Sequence, residues 1–388
     1  MKCLSTKATS IKPSGIRKFF DLASTMEGVI SLGVGEPDFA TPWHICENAI
    51  HYMSTGHTHY TANRGLLELR EEICKFHKEH YNQVYDPENE VIVTIGGSEA
   101  IDLCMRALLN PGDEVIVLDP NYVAYAPSVI LSDGVVVPLK LKEENDFKIL
   151  PEDLKKVITP KTKAMIINYP SNPTGGVMTK EDYAKIIDII KESGIYVISD
   201  EIYAELSFDQ PFASLAQFDE IKSQIIVVNG FSKAYAMTGW RLGYCMANKE
   251  LSSIMNKIHQ YVIMSAPVMS QYAGIEAIKN GYNDVLMMKE DYLKRRNFLV
   301  NRLNRMGLKT NMPHGTFYVF CNIQSTGLDS ETFCERLLQE QKVACVPGNA
   351  FGNSGEGYVR ISYAYSIDHV KEARSEEHTS ELQSPFYL

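Results

Sequence analysis

Residues 225–246 read Ile-Ile-Val-Val-Asn-Gly-Phe-Ser-Lys-Ala-Tyr-Ala-Met-Thr-Gly-Trp-Arg-Leu-Gly-Tyr-Cys-Met. A β-branched apolar run too short for a helix, stopped by Gly230, reads as a buried strand. Lys233 sits just past the stop, with Ser232 beside it and Arg241 eight residues later. A strand that delivers one amine into a site, with a hydroxyl and a guanidinium nearby, suits covalent capture of a phosphorylated aldehyde. Lys233 would form the imine, and Ser232 and Arg241 would hold the phosphate. Taken alone, Lys233 is as well read as a surface lysine after a strand. The residues upstream decide between the two.

Moving outward, short apolar runs at 91–95, 114–118, 164–168, 196–199, 225–229 and 242–246 alternate with stretches of helical period. One such stretch, 180–193, follows Thr179 as an N-cap. Strands alternating with helices predict an α/β domain over 45–275, built on a mostly parallel sheet covered on both faces. Ligand sites in such sheets form at the carboxyl ends of the strands. After about residue 280 the texture changes to a long helical stretch (285–306) and two strand-like runs, 316–321 and 358–363. This predicts a smaller α+β domain made of 1–44 with 276–373.

The chain has 388 residues, 45% hydrophobic and 22% charged, enough for two domains with sizeable cores. Its net charge of −10 argues against a nucleic-acid surface. The cluster Lys294-Arg295-Arg296 reads as a solvated helix face. No apolar run is long enough to span a bilayer, and residues 1–13 lack the apolar core of a signal peptide. Eight scattered cysteines without a CxxC pair read as reduced thiols of a cytoplasmic protein. His77 and His80 share a helix face but have no third ligand nearby, so no metal site is expected.

Each remaining feature has a plain reading and a chemical one. Gly96-Gly97-Ser98-Glu99 ends a strand and opens a helix: a tight turn, or an anion site on free helix N–H groups. Asp200 closes the strand before Glu201-Ile202-Tyr203, as a helix N-cap or as the partner of a protonated pyridine nitrogen. Asn172-Pro173-Thr174-Gly175 is turn chemistry, although the Asn172 amide can donate to the same phenolate oxygen as Tyr203. Tyr122 is a half-buried loop tyrosine or a face on which a heterocycle stacks. Arg360, flanked by Val359 and Ile361, is an exposed strand residue or a rigid two-pronged grip for a carboxylate.

In this order, the motifs resemble the class I/II aminotransferases among the fold type I pyridoxal-phosphate enzymes. The resemblance rests on Gly-Glu-Pro-Asp-Phe (35–39), Tyr60 with Gly65, Gly-Gly-Ser-Glu-Ala (96–100), Asn-Pro-Thr-Gly (172–175), Ser-Asp-Glu-Ile-Tyr (199–203) and the segment around Lys233. It spans about residues 11–373. It implies pyridoxal phosphate bound covalently to Lys233, which also shuttles the substrate's Cα proton. Asp200 pairs with the pyridine nitrogen, Asn172 and Tyr203 bind the phenolate oxygen, and Tyr122 stacks on the ring. Gly97, Ser98, Glu99, Ser232 and Arg241 hold the phosphate. Tyr60 reaches the neighbouring subunit's phosphate, which makes the active form a homodimer. Arg360, helped by Gly35 and Asn172, binds the substrate's α-carboxylate. The implied reaction is ping-pong exchange between an amino acid and a 2-oxo acid.

The opening, residues 12–20, resembles the branch holding aspartate, aromatic and N-acetyl-diaminopimelate aminotransferases, in which Ile16 would line the side-chain pocket. An apolar Ile16 favours a large side chain, whereas Arg17 or Lys18 would suit an acidic one. Aromatic or aspartate-like donors with 2-oxoglutarate as acceptor are therefore expected. A lyase acting on cysteine conjugates would use the same cofactor residues. A non-catalytic cofactor-binding regulator is the poorer alternative. Finally, the helix begun by Ser366 loses its apolar face at 374–388, a stretch that resembles a translated sequencing adapter and reads as a non-native tail.

Overall fold

The computed structural model describes residues 3–11, 13, 15, 26–366 and 368. Ile16, the continuation of the helix begun by Ser366, and residues 374–388 lie outside them. Seven strands form the central sheet: β1 (Val91–Thr94), β2 (Glu114–Asp119), β3 (Val135–Lys140), β4 (Thr162–Asn168), β5 (Tyr196–Asp200), β6 (Ile225–Gly230) and β7 (Gly243–Met246). Their order is β1-β7-β6-β5-β4-β2-β3. The run β6-β5-β4-β2-β3 is parallel, and only β7 opposes its neighbours β1 and β6. The sheet is mostly parallel, as the strand–helix alternation predicts. The inner strands are buried along most of their length, which fits their apolar runs.

β3 is the strand of this sheet that periodicity missed. Pro138 interrupts its Val-Val-Val run, and proline has no N–H for a ladder. At the sheet edge, paired only with β2, that loss is tolerated. The helix expected over 180–193 is in fact two, Lys180–Ala184 and Ile187–Ser193, the first closed by a Thr179–Asp182 capping box. The long helix runs Tyr282–Arg305.

A second, three-stranded antiparallel sheet contains β8 (Tyr318–Asn322), β9 (Val346–Pro347) and β10 (Tyr358–Ser362), with β10 in the middle. Its apolar core also takes in Tyr203, Leu206, Phe208 and Ala236 from the segments around the large sheet. The basic cluster on the long helix corrects the sequence reading. Arg295 and Arg296 are both buried, Arg295 paired with Asp38 and Asp291 and Arg296 with Asp209. Only Lys294 is solvated, bonded to Glu290.

Candidate active site

Parallel strands bring their carboxyl ends to one side, and every chemical motif follows such an end. Asp119 precedes Tyr122, Asn168 precedes Asn172, Asp200 ends β5, and Gly230 precedes Ser232 and Lys233. Arg360 reaches the same place from β10. The result is a cavity of about 540 Å³ lined by Gly35, Gly97, Ser98, Tyr122, Asn172, Asp200, Tyr203, Ser232, Lys233, Arg241 and Arg360, among others.

Asp200 sits on the cavity floor. Its Oδ2 accepts from the Tyr125 hydroxyl at 2.6 Å and its Oδ1 from the Ile202 amide at 3.2 Å. Burial outweighs both bonds and the weaker pull of the Lys233 charge and pushes its pKa up to about 6; among the described residues no cation is paired with it. Tyr122 lies over the same cavity, braced edge-on by Tyr125 at 5.5 Å. Lys233 Nζ donates to the Gly35 carbonyl at 2.7 Å. Burial, and then the positive charge of Arg360, bring its pKa down to about 8, against the opposing pull of Glu36.

A cup for an anion lies at one end. The helix Gly96–Leu108 starts there and presents its free N–H groups. Gly96 has φ +69°, and a Cβ on it would come within 2.8 Å of the Arg241 guanidinium. The left-handed backbone there favours glycine, and the absence of a Cβ lets the Arg241 guanidinium lie against the helix start. Ser98 and Ser232 complete the lining.

At the other end, Arg360 is 3% exposed. Its Nη1 donates to Asn172 Oδ1 at 2.9 Å and its Nη2 to the Gly33 carbonyl at 2.7 Å. Nε has no partner among the described residues. The guanidinium lies against the rings of Tyr318 (4.2 Å) and Phe351 (4.8 Å), which restrain its orientation. A buried guanidinium held in a fixed orientation at the wall of the cavity is suited to a carboxylate.

The family model described as aminotransferase class I and II matches residues 27–375. The chain belongs to the class I and II aminotransferases. It is 45% identical to the aspartate aminotransferase of Pyrococcus abyssi and 43% identical to aromatic-amino-acid aminotransferase 2 of Thermococcus litoralis, each alignment covering 95% of this chain and 96% of the relative. The solved aromatic aminotransferase from Pyrococcus horikoshii superposes with a TM-score of 0.91 at 42% identity, covering 96% of this chain and all of that one. This aminotransferase is accordingly an enzyme of pyridoxal phosphate, exchanging an amino group between amino acid and 2-oxo acid. The cavity fits that cofactor: it offers a buried carboxylate short of a cation, an amine of lowered pKa, an aromatic face and an anion cup whose glycine a Cβ would fill.

Two of the expected residues are not brought into this cavity; a third, Ile16, lies outside the described residues. Tyr60 is 84% exposed and contributes nothing to its own chain's cavity. The Glu99 side chain turns away: its carboxylate accepts from the Ile95 amide and from buried His259 Nδ1, both at 2.5 Å. A glutamate in the first turn of a helix caps that helix, and repulsion keeps a carboxylate off an anion site. His77 is a satisfied core residue between Gln83 and Tyr244.

Sequence reasoning overlooked Tyr125, Tyr318, Glu36 and His259. Tyr125 lies three residues past Tyr122 and was available as a signal. The others depend on long-range packing that no local pattern announces.

Proposed function

We propose that this aminotransferase takes its amino group from an aromatic or aspartate-like L-amino acid and gives it to 2-oxoglutarate or a similar 2-oxo acid, in ping-pong order. When bound, pyridoxal phosphate supplies the aldehyde carbon that receives the amino group and a ring that accepts electrons. Lys233 Nζ anchors it and serves as the base at the substrate's Cα; a pKa near 8 leaves a usable fraction unprotonated at neutral pH. Asp200, whose burial disfavours an isolated charge, holds the pyridine nitrogen protonated. Asn172 and Tyr203 face the phenolate oxygen, and Tyr122 covers the ring. Gly97, Ser98, Ser232 and Arg241 hold the phosphate, with Glu99 acting only through its helix cap.

The observation that carries the reading is Arg360, a buried guanidinium bonded to Asn172 at the wall of the cavity. It gives an α-carboxylate a place in the same cavity as Lys233. The exposure of Tyr60 supports a homodimer in which it reaches the neighbouring phosphate. We take 45–275 as the cofactor domain and 1–44 with 276–373 as the small domain, and free cysteines fit a cytoplasmic enzyme.

The test is to mix the cofactor-loaded protein with single amino acids and no acceptor. Phenylalanine, tyrosine or aspartate should convert the bound cofactor to its amine form with one equivalent of 2-oxo acid. 2-Oxoglutarate should reverse the spectrum. Pyruvate and ammonia from a cysteine conjugate would establish a lyase instead, and inertness toward every amino acid would sink the enzyme reading.

A further inference from the structure

Tyr203, read above as a donor to the cofactor's phenolate oxygen, has a second partner. Its hydroxyl lies 3.0 Å from that of Tyr318, and both side chains are buried. Each phenol has a single hydrogen. If Tyr203 gives its hydrogen to the cofactor, the hydrogen between the two hydroxyls must come from Tyr318. The order is then fixed as Tyr318 to Tyr203 to cofactor.

Tyr318 is otherwise held on every side. It is part of β8, and its ring lies under the Arg360 guanidinium. Its hydroxyl stands 2.3 Å from where a Cβ on Gly35 would be. Only glycine at 35 leaves that hydroxyl room beside Tyr203. The same Gly35 offers its carbonyl to Lys233 Nζ. One side chain thus touches the carboxylate grip, the loop that holds the lysine, and the tyrosine facing the phenolate.

We propose that Tyr318 is a positioning residue that tunes the cofactor's proton affinity by donating to Tyr203. A hydroxyl that accepts a hydrogen bond donates a stronger one, so this arrangement polarises Tyr203 toward the phenolate oxygen. The inference rests on the reading of Tyr203 given above, and its test separates the two.

The readout is the pH titration of the visible absorption of the cofactor-loaded enzyme, which needs no turnover. Tyr203→Phe should raise the apparent pKa by about 1 to 2 units, the shift expected for losing one hydrogen bond to a charged oxygen. Tyr318→Phe should raise it by about 0.1 to 0.6 units, the 10–30% share of cooperative strengthening. It should leave KM for the amino acid within about twofold, because the ring beneath Arg360 remains. In the Tyr203→Phe background, Tyr318→Phe should do nothing further. Replacing Tyr318 by 3-fluorotyrosine, whose hydroxyl is more acidic at nearly the same size, should shift the pKa downward. No shift in Tyr203→Phe would overturn the reading of Tyr203. A shift there with none in Tyr318→Phe, or an equal Tyr318→Phe shift in both backgrounds, would overturn the present proposal. So would an upward shift with 3-fluorotyrosine, whatever the fold of the phenylalanine variant.

Discussion

Asp200→Asn should have opposite effects on the protein with and without its cofactor. In the cofactor-free chain the carboxyl is 8% exposed, and burial raises its pKa from 3.8 to about 6. Two units correspond to about 3 kcal/mol. The sign follows from linkage. The unfolded chain releases this proton near pH 4, and the folded chain keeps it until about pH 6. Between those values the folded state binds more protons, so stability falls as pH rises and stays lower above pH 6. Asparagine has no charge to bury and removes that fall. Its single oxygen can serve Tyr125 or Ile202 but not both, which costs about 1 kcal/mol. The net gain for the cofactor-free variant above pH 7 is about 2 kcal/mol.

The loaded enzyme should respond the other way. A protonated pyridine nitrogen is the cation that buried Asp200 lacks, so the variant should bind pyridoxal phosphate more weakly and turn over far more slowly. The assay is urea unfolding of wild type and variant, with and without cofactor, between pH 4.5 and 8. Differences between the two proteins cancel the other carboxylates. The cofactor-free variant should be the more stable at pH 8, with an advantage that vanishes toward pH 4.5, and the less stable once both are loaded. A difference independent of pH, or the same sign in both states, would refute the reasoning.

Lys233 should capture pyridoxal phosphate at a rate that rises with pH and levels off past about 8, because the free amine is the nucleophile and burial beside Arg360 lowers its pKa to that value; stopped-flow absorbance reads it, and a midpoint near 10 would contradict the site's electrostatics. Arg360→Lys keeps the charge but can serve only one of Asn172 and Gly33. It should lower kcat/KM by roughly a hundredfold, equivalent to about 3 kcal/mol, and an unchanged kcat/KM would rule out the carboxylate grip. His259→Asn removes the partner of Glu99 and the bond to the Asn63 carbonyl. It should destabilise the fold by about 1 to 3 kcal/mol, the cost of leaving buried acceptors unpaired, and loosen the phosphate cup, with partial rescue by Glu99→Gln in thermal melting and cofactor titration.

Much of the site was legible because topology does the assembly. A parallel sheet gathers the carboxyl ends of its strands, so Asp200, Asn172, Tyr122 and Lys233, each just past an apolar run, had to meet once the runs were recognised. Arg360 was legible as a candidate only, because alternation along β10 suggested one exposed face, whereas both faces of that short strand are covered. What stayed hidden depended on partners far away in the chain. Arg295 and Arg296 looked solvated because nothing local reveals Asp38 and Asp209. Glu99 is the opposite case: the resemblance groups it with the phosphate residues, whereas its carboxylate bonds the Ile95 amide, a local contact typical of a first-turn glutamate.

The hidden contacts have a common location. Arg360 to Asn172, Tyr318 to Tyr203, and Lys233 to Gly35 all cross from the large sheet's strand ends to the small sheet or the segment around Gly35. They are the polar seam between the two layers and also the wall of the cavity. A group that engages Arg360 therefore acts on contacts that hold the layers together, through Asn172 on one side and through the Tyr318 ring on the other. This placement explains why the cofactor residues can be read from local motifs whereas substrate preference cannot. The motifs end at the strands, and the groups flanking the α-carboxylate belong to the seam. Selectivity for the amino-acid side chain should therefore respond to substitutions at Val34 and Ile202, which line the cavity on the seam side, while the visible spectrum of the bound cofactor stays fixed; Tyr318→Phe should do the reverse.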